Sequence, residues 1–355
     1  MNINKKYIGI LSIATTILLN ACSSDGSGAQ ENTSGNTPAN DKMRVMAFSS
    51  PFADAVTTDV TAPTGFTAYT PNKRTTMGVY MLLSENPATD WATPEEKSIT
   101  YSDRWHAFFD VTADKTYTVY GYMPKTEGMT STLTKSTADA ATLAIEGIKP
   151  VTTDDVCIIT GVEDANVGLK EGQFSWYTPV GADTYYIYFL MDHLYAAVLF
   201  SMKIDTDYAN LRTIKLKKME LSTDKGSVNA TITLTHNDTG ASPITSVTYT
   251  LSGNSCTSEI FDSEEGVALD KQTPLAINAC FAPLPTLSEN LTLTTTYDVY
   301  DRKGNLIRQN CTATNKLPNL EASRGQRVQL NLTVNPTYLY VLSDPDLDNP
   351  TIKVE

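Results

Sequence analysis

Basic residues are scarce in this chain: 27 Lys and Arg stand against 40 Asp and Glu, a formal charge of −13. Binding to nucleic acid needs a basic face that neutralises phosphates, so this balance argues against that partner. Histidine is nearly absent, with only His106, His193 and His236. No G-x-S-x-G, H-E-x-x-H or glycine-rich phosphate loop occurs, and with them go the usual signatures of nucleophilic, zinc-hydrolytic and phosphoryl-transfer enzymes. Cysteines are few and widely spaced, with no C-x-x-C pair. A zinc site is not expected from that spacing, nor any other metal or cofactor. Beyond the first 20 or so residues no apolar run approaches the ~20 residues that a bilayer-spanning helix needs. Helical periodicity is thin as well: Ala138 to Ile148 reads as one short helix and Tyr208 to Ile214 as a turn of another.

What is present begins with an export signal. Lys5 and Lys6 precede an apolar run from Tyr7 to Leu19, and Leu19-Asn20-Ala21-Cys22 places a small residue before cysteine. That order predicts a lipoprotein signal peptide over 1–21, with Cys22 as the lipidated first residue of the mature chain. Ser23 to Asn40 is mostly Ser, Gly, Asn, Thr and Asp. It has too little apolar surface to offset its chain entropy, so 22–42 is expected to be a flexible tether. With Cys22 assigned to lipid, Cys157, Cys256, Cys280 and Cys311 remain. In an oxidising compartment they allow three disulfide pairings, and buried free thiols are an equal alternative.

The dominant pattern in the body is period two. Val328, Leu330, Leu332 and Val334 alternate with Gln329, Asn331 and Thr333; Val198, Phe200, Met202 and Ile204 alternate with Leu199, Ser201 and Lys203. Leu291 to Val299 and Thr231 to Thr235 repeat the theme. Each predicts a strand with one buried and one wet face, and the Thr and Tyr content suits a pleated surface. Many such strands broken by Gly, Pro, Asn and Asp predict an all-β protein of sandwich type. The length suits about two domains. Gly172 to Thr184 carries Pro179, Gly181 and Asp183, so the division is placed at 43–185 and 186–335, with 336–355 as an appendage.

Certain segments resemble the fimbrillin family. Met77-Gly78-Val79-Tyr80-Met81, then Trp105 and Phe108, then Tyr117-Thr118-Val119-Tyr120-Gly121-Tyr122-Met123-Pro124 are similar to that family's "G-V-Y" strand, mid-domain Trp and "Y-x-V-Y-A-Y-x-P" strand. Phe189 to Leu194 followed by Ala197 to Phe200 resembles its "F-x-x-x-H-L" strand, and Gly325 to Val334 its closing strand. Gly121 stands where the family often has Ala. The resemblance spans most of residues 45 to 355 and implies two transthyretin-like β-sandwich domains in tandem. It also implies a pilus subunit on the bacterial outer membrane, whose partners are other pilin subunits. In that family a protease cuts after an Arg and removes an N-terminal strand, and a C-terminal strand of a neighbour fills the groove.

Carried onto this chain, the displaced strand is Val45, Met46, Ala47 and Phe48, and the candidate cleavage sites are Arg44 and Arg74. The donor strand is Tyr338, Leu339, Tyr340, Val341 and Leu342, continuing after a break at Ser343 to Pro350 into Ile352 and Val354. The same tail could instead add two strands to the chain's own second domain. Asp344 to Asn349 with Glu355 approaches a calcium-loop pattern, but Asn349 replaces the turn glycine and Pro350 follows, so a polar turn is the better expectation. Another class of function is a monomeric lipid-anchored carbohydrate-binding module, with Trp176, Tyr177, Tyr185, Tyr186 and Tyr188 stacking on sugars. In either case Cys22 would hold the chain to outer-membrane lipid, with a host or bacterial surface glycan or protein as a further partner.

Overall fold

The computed structural model describes residues 43–49, 53–54, 67–68, 75–101, 105–107, 111–135, 137–164, 168–181, 185–318, 320–338 and 345–354. The signal and tether segments, with Cys22, lie outside them. The chain begins with β1 (Met43–Ser49), β2 (Ala53–Asp54), β3 (Thr67–Ala68) and β4 (Thr76–Leu83), then the single turn α1 (Pro87–Asp90). Next come β5 (Glu96–Tyr101), β6 (Trp105–Ala107), β7 (Lys115–Met123), β8 (Thr130–Lys135), β9 (Ala140–Ile148) and β10 (Val151–Thr152). They are followed by β11 (Cys157–Asp164), β12 (Gly168–Glu171), β13 (Ser175–Thr178), β14 (Tyr185–His193) and β15 (Ala196–Ile204). After the turn α2 (Thr206–Ala209) the chain forms β16 (Thr213–Thr223), β17 (Ser227–Thr235), β18 (Ile244–Ser252), β19 (Cys256–Ala268) and β20 (Leu275–Phe281). The last turn, α3 (Pro285–Ser288), leads to β21 (Thr292–Tyr300), β22 (Leu306–Lys316), β23 (Gln326–Tyr338) and β24 (Pro345–Val354).

The protein is therefore all-β, as its alternation predicts. The helix expected over Ala138 to Ile148 is instead β9. Ala favours helix, but Ala141, Leu143 and Ile145 are buried at every second position, and β9 pairs with both β8 and β17. Two ladders and an inward face outweigh a propensity worth a few tenths of a kcal/mol per residue. The turn expected over Tyr208 to Ile214 is α2, which starts at Thr206 and ends at Ala209 and is capped by Asp205, whose side chain accepts from the backbone N–H groups of Asp207 and Tyr208, while Thr213 and Ile214 open β16.

Among the described residues, four sheets carry the fold. The first closes on itself: β11-β14-β1-β6-β5-β4-β7 is a continuous ladder, and β11 pairs β7 as well. Met77, Val79, Val119, Ile159, Ile187 and Phe189 fill one buried cluster on these strands. The second sheet, β18-β17-β9-β8, packs Leu143, Ile145, Val228 and Ile232 against Tyr80, Tyr120 and Tyr122. The third and fourth, β10-β20-β15-β23 with β2 and β24, and β19-β16-β21-β22, share the core of Phe200, Met202, Leu216, Leu293, Leu332 and Val334. Pairing does not stop at residue 185. β14 belongs to the first ladder, and β9 joins β17 across that position.

The second core holds a buried cation. The Lys135 ammonium lies 4.7 Å from the centre of the Trp91 ring and donates to the Ala138 carbonyl at 2.8 Å. Burial disfavours its charge and, against the pull of Asp139, lowers its pKa from 10.5 to about 8. Between those two values the unfolded chain binds more protons than the folded one, so stability rises with pH in that window. Lys135→Met should raise stability near neutral pH by roughly 1–2 kcal/mol, since removing a desolvated charge outweighs the loss of its cation–π contacts with Trp91 and Tyr120 and its hydrogen bonds to the Ala138 carbonyl and the Tyr120 hydroxyl. It should also flatten the rise above about pH 8. Urea unfolding of both proteins across that range measures each effect.

Candidate strand-exchange site

The C-terminal strand pairs within its own chain. β24 runs antiparallel to β23, from Leu332 opposite Val354 to Tyr338 opposite Pro345, with a register shift between Pro336 and Thr337. The shift sits beside a rung formed by Pro336 and Pro350, where neither residue has an N–H to give. Pro350 is tolerated because, among the described residues, β24 is an edge strand that pairs only with β23, and Pro336 lies past Val334, the last β23 residue paired with β15. The break expected over Ser343 to Pro350 is thus strand from Pro345 onward. Side chains at alternate positions turn inward. Pro350 and Ile352 are buried, and Val354 packs partly buried on the same core as Leu332 and Val334.

Distant side chains clamp the backbone of this strand. The Tyr208 hydroxyl donates to the Leu347 carbonyl at 2.6 Å, Tyr297 to Pro350 at 3.2 Å, and Asn315 Nδ2 to Ile352 at 2.9 Å. Burial pushes the Tyr297 hydroxyl up to about 12, so it remains a donor at neutral pH. Arg212 reaches one carboxylate oxygen of Asp348 through Nε at 2.9 Å and Nη2 at 2.7 Å. Asp346 and Asp348, considered above for calcium, lie in this strand, and Asp348 is committed to that guanidinium. Tyr338 ends β23; Leu339, Tyr340, Val341 and Leu342 lie outside the described residues.

The N-terminal strand lies inside the closed ladder. β1 runs parallel to β14, with Val45, Met46, Ala47 and Phe48 opposite Ile187, Tyr188, Phe189 and Leu190. On its other side it pairs antiparallel with β6, where Arg44 faces His106 and Val45 faces Trp105. Arg44 is therefore within β1, so a cut there would leave Val45 to Phe48 in place. Arg74 lies outside the described residues, after β1, β2 and β3 in the chain.

The remaining residues singled out from sequence sort as follows. Cys157, Cys256, Cys280 and Cys311 are free thiols, Cys157 and Cys280 being buried. His193 Nδ1 meets both Asp155, at 2.9 Å, and Cys157 Sγ, at 3.8 Å. A nucleophilic triad uses the two ring nitrogens separately, one for the nucleophile and one for the acid. Here a single nitrogen meets both partners, and burial together with Asp155 raises the thiol pKa well above its ordinary value, which is the wrong direction for a nucleophile. Of the aromatics proposed to stack on sugars, Trp176 is buried and tilted against Tyr117, while Tyr177 is exposed and donates to Asp114.

Sequence reasoning missed Tyr208, Arg212, Tyr297 and Asn315. Nothing in the local sequence marks them, because their partners in the tail lie between 37 and 139 residues away.

No family model matches this chain, and no curated protein matches it. Solved structures are similar over most of its length. A candidate cell adhesion protein of Bacteroides fragilis NCTC 9343 is 10% identical with a TM-score of 0.39, over 89% of this chain and 97% of that one. A fimbrial protein of Bacteroides vulgatus ATCC 8482 is 14% identical with a TM-score of 0.32, over 87% and 98%. The fimbrial anchor protein Mfa2 of Porphyromonas gingivalis is 9% identical with a TM-score of 0.21, over 88% and 97%.

Proposed function

We propose that this chain is a fimbrial subunit of a bacterial outer surface, held at first by lipid on Cys22 and serving adhesion to a host or bacterial glycan or protein. Its partners are other pilin subunits, joined by β-strand donation. The observation that carries this reading is β24, an edge strand that buries Pro350, seats Ile352 and Val354 on one core and, among the described residues, pairs with β23 alone. A groove that accepts this strand from its own chain offers the same pockets and the same unpaired backbone to the strand of another copy. Exchange would substitute one set of contacts for an identical set, so its cost is mainly kinetic. Removal of the N-terminal strand after Arg74 would take β1 with it and leave a gap between β14 and β6; Val45, Met46, Ala47 and Phe48 are the displaced residues in this scheme.

Thr333 and Lys353 face each other across β23 and β24, and this pair provides the test. Cells expressing a mixture of Thr333→Cys and Lys353→Cys copies should yield disulfide-linked dimers upon mild oxidation, because the two thiols meet only between copies. A Thr333→Cys/Lys353→Cys copy that closes solely within itself, together with no linked product from the mixture, would refute donation through this strand.

A further inference from the structure

Asp155, Cys157 and His193 form a group outside both strand sites. Their ligand-type atoms all lie within 4.8 Å of one another. Cys157 opens β11 and His193 closes β14, and the two residues face each other across the ladder. Thirty-six residues separate them in the chain, so local spacing hides the group. His193 Nδ1 stands 2.9 Å from the Asp155 carboxylate and 3.8 Å from Cys157 Sγ. The surrounding backbone is firmly held. The Leu194 N–H donates to the Val156 carbonyl at 2.6 Å, and the His193 N–H donates to Asp192 at 2.8 Å. Arg324 donates to Asp192 at 2.5 Å and to the His193 carbonyl at 3.1 Å.

We infer that this trio binds a zinc-type divalent cation through Cys157 Sγ, His193 Nδ1 and one Asp155 oxygen, with water in the fourth position. Sulfur and imidazole together select zinc over magnesium or calcium, which prefer all-oxygen sites. Tetrahedral bonds of about 2.0–2.3 Å put neighbouring ligand atoms roughly 3.3–3.7 Å apart. The sulfur–nitrogen separation is already close to that. The nitrogen–oxygen separation must open by about half an ångström, and Asp155 is the member free to move, since it precedes β11 and is partly exposed while the other two side chains are buried. The ion and its water would enter from the Asp155 side. Binding exchanges the thiol proton for the metal: Cys–SH plus the dication gives the metal thiolate and releases one proton to solvent, while the imidazole proton that Nδ1 shares with Asp155 passes to Nε2, leaving the Nδ1 lone pair for the ion. Because the metal displaces the thiol proton, affinity should climb as pH rises. The bound ion would tie the start of β11 to the end of β14, where the chain leaves the closed ladder.

Cobalt(II) titration of the reduced full chain tests this, because a thiolate–cobalt bond gives a charge-transfer absorption that carboxylate or imidazole alone does not. The expected result is one such band per chain at slightly alkaline pH, bleached by zinc, with a zinc-dependent rise in melting temperature. Cys157→Ser and His193→Gln should lose the band and the rise while circular dichroism keeps its β signature, and Cys280→Ser should keep both. Absence of a band in the unmutated chain overturns the inference, even if a variant fails to fold; so does a band that survives Cys157→Ser. Either result would leave His193 and Asp155 as a hydrogen-bonded pair.

Discussion

Ile352→Asp will detach the C-terminal strand and destabilise the folded chain by about 4 kcal/mol, with loss of amide protection across residues 345–354. Ile352 is buried in the core that includes Phe200, Leu332 and Val334. Truncating such a side chain costs about 2–5 kcal/mol, and an unpaired carboxylate in its place adds a desolvation penalty that the chain avoids by letting the strand go. The released edge would expose unpaired groups along β23. Two comparisons isolate the cause. Lys353→Glu alters an exposed neighbour on the outward face and should change stability by no more than about 0.5 kcal/mol. Arg212→Ala removes the pairing to Asp348, a carboxylate with 44% of its side chain exposed, and should cost no more than about 1 kcal/mol. Urea titration gives the energies, and hydrogen exchange shows whether the strand detaches alone or the whole sheet loosens.

Gly121→Ala will add a costly methyl to the closed ladder, at about 2–3 kcal/mol. A Cβ at Gly121 would stand 2.5 Å from the Gly78 carbonyl oxygen and 2.9 Å from Ile159 Cδ1. The first obstacle is backbone in the paired strand β4 and cannot swing aside. Gly78 answers from the opposite side: a Cβ there would collide with the Glu96 carboxylate and stand 2.7 Å from the Tyr122 ring. The two glycines let β4 and β7 approach while Tyr122 lies across the space that Gly78 leaves open. Thermal unfolding should show Gly121→Ala and Gly78→Ala each strongly destabilised. Gly304→Ala offers a reference of another kind, since its Cβ would meet nothing within 4 Å and only its positive φ of 83° resists the change.

These cases show what a sequence can carry. The alternation in Val328 to Val334 and in Val198 to Ile204 was sufficient to identify β23 and β15, because period two is imposed locally by the pleat. The departure at Gly121 was visible as a letter, but its reason was not: it depends on how near β4 lies, a matter of pairing rather than of neighbours. Ala138 to Ile148 misled because alanine suits a helix in isolation, and only the partners β8 and β17 decide otherwise. β17 begins 79 residues after the end of β9, so no window finds the pair. The candidate site divides in the same way. Apolar residues at alternate positions marked Ile352 and Val354 as strand, but whether they seat at home or abroad is decided by Tyr208, Tyr297 and Asn315, whose identity as clamps exists only once the chain is folded. Cys157 and His193 were noticed singly and became a group through a ladder rung.

The position of β1 sets a rule of direction. It is no selvedge to be peeled away; it is a stave, seamed on both sides. Its neighbours β14 and β6 impose opposite demands, one wanting a companion that points its own way and the other wanting one that points against it. Take the stave out and the hoop gapes, and whatever mends it must enter with the same compass heading as Met43 to Ser49. A mending segment of reversed heading could satisfy neither seam as built.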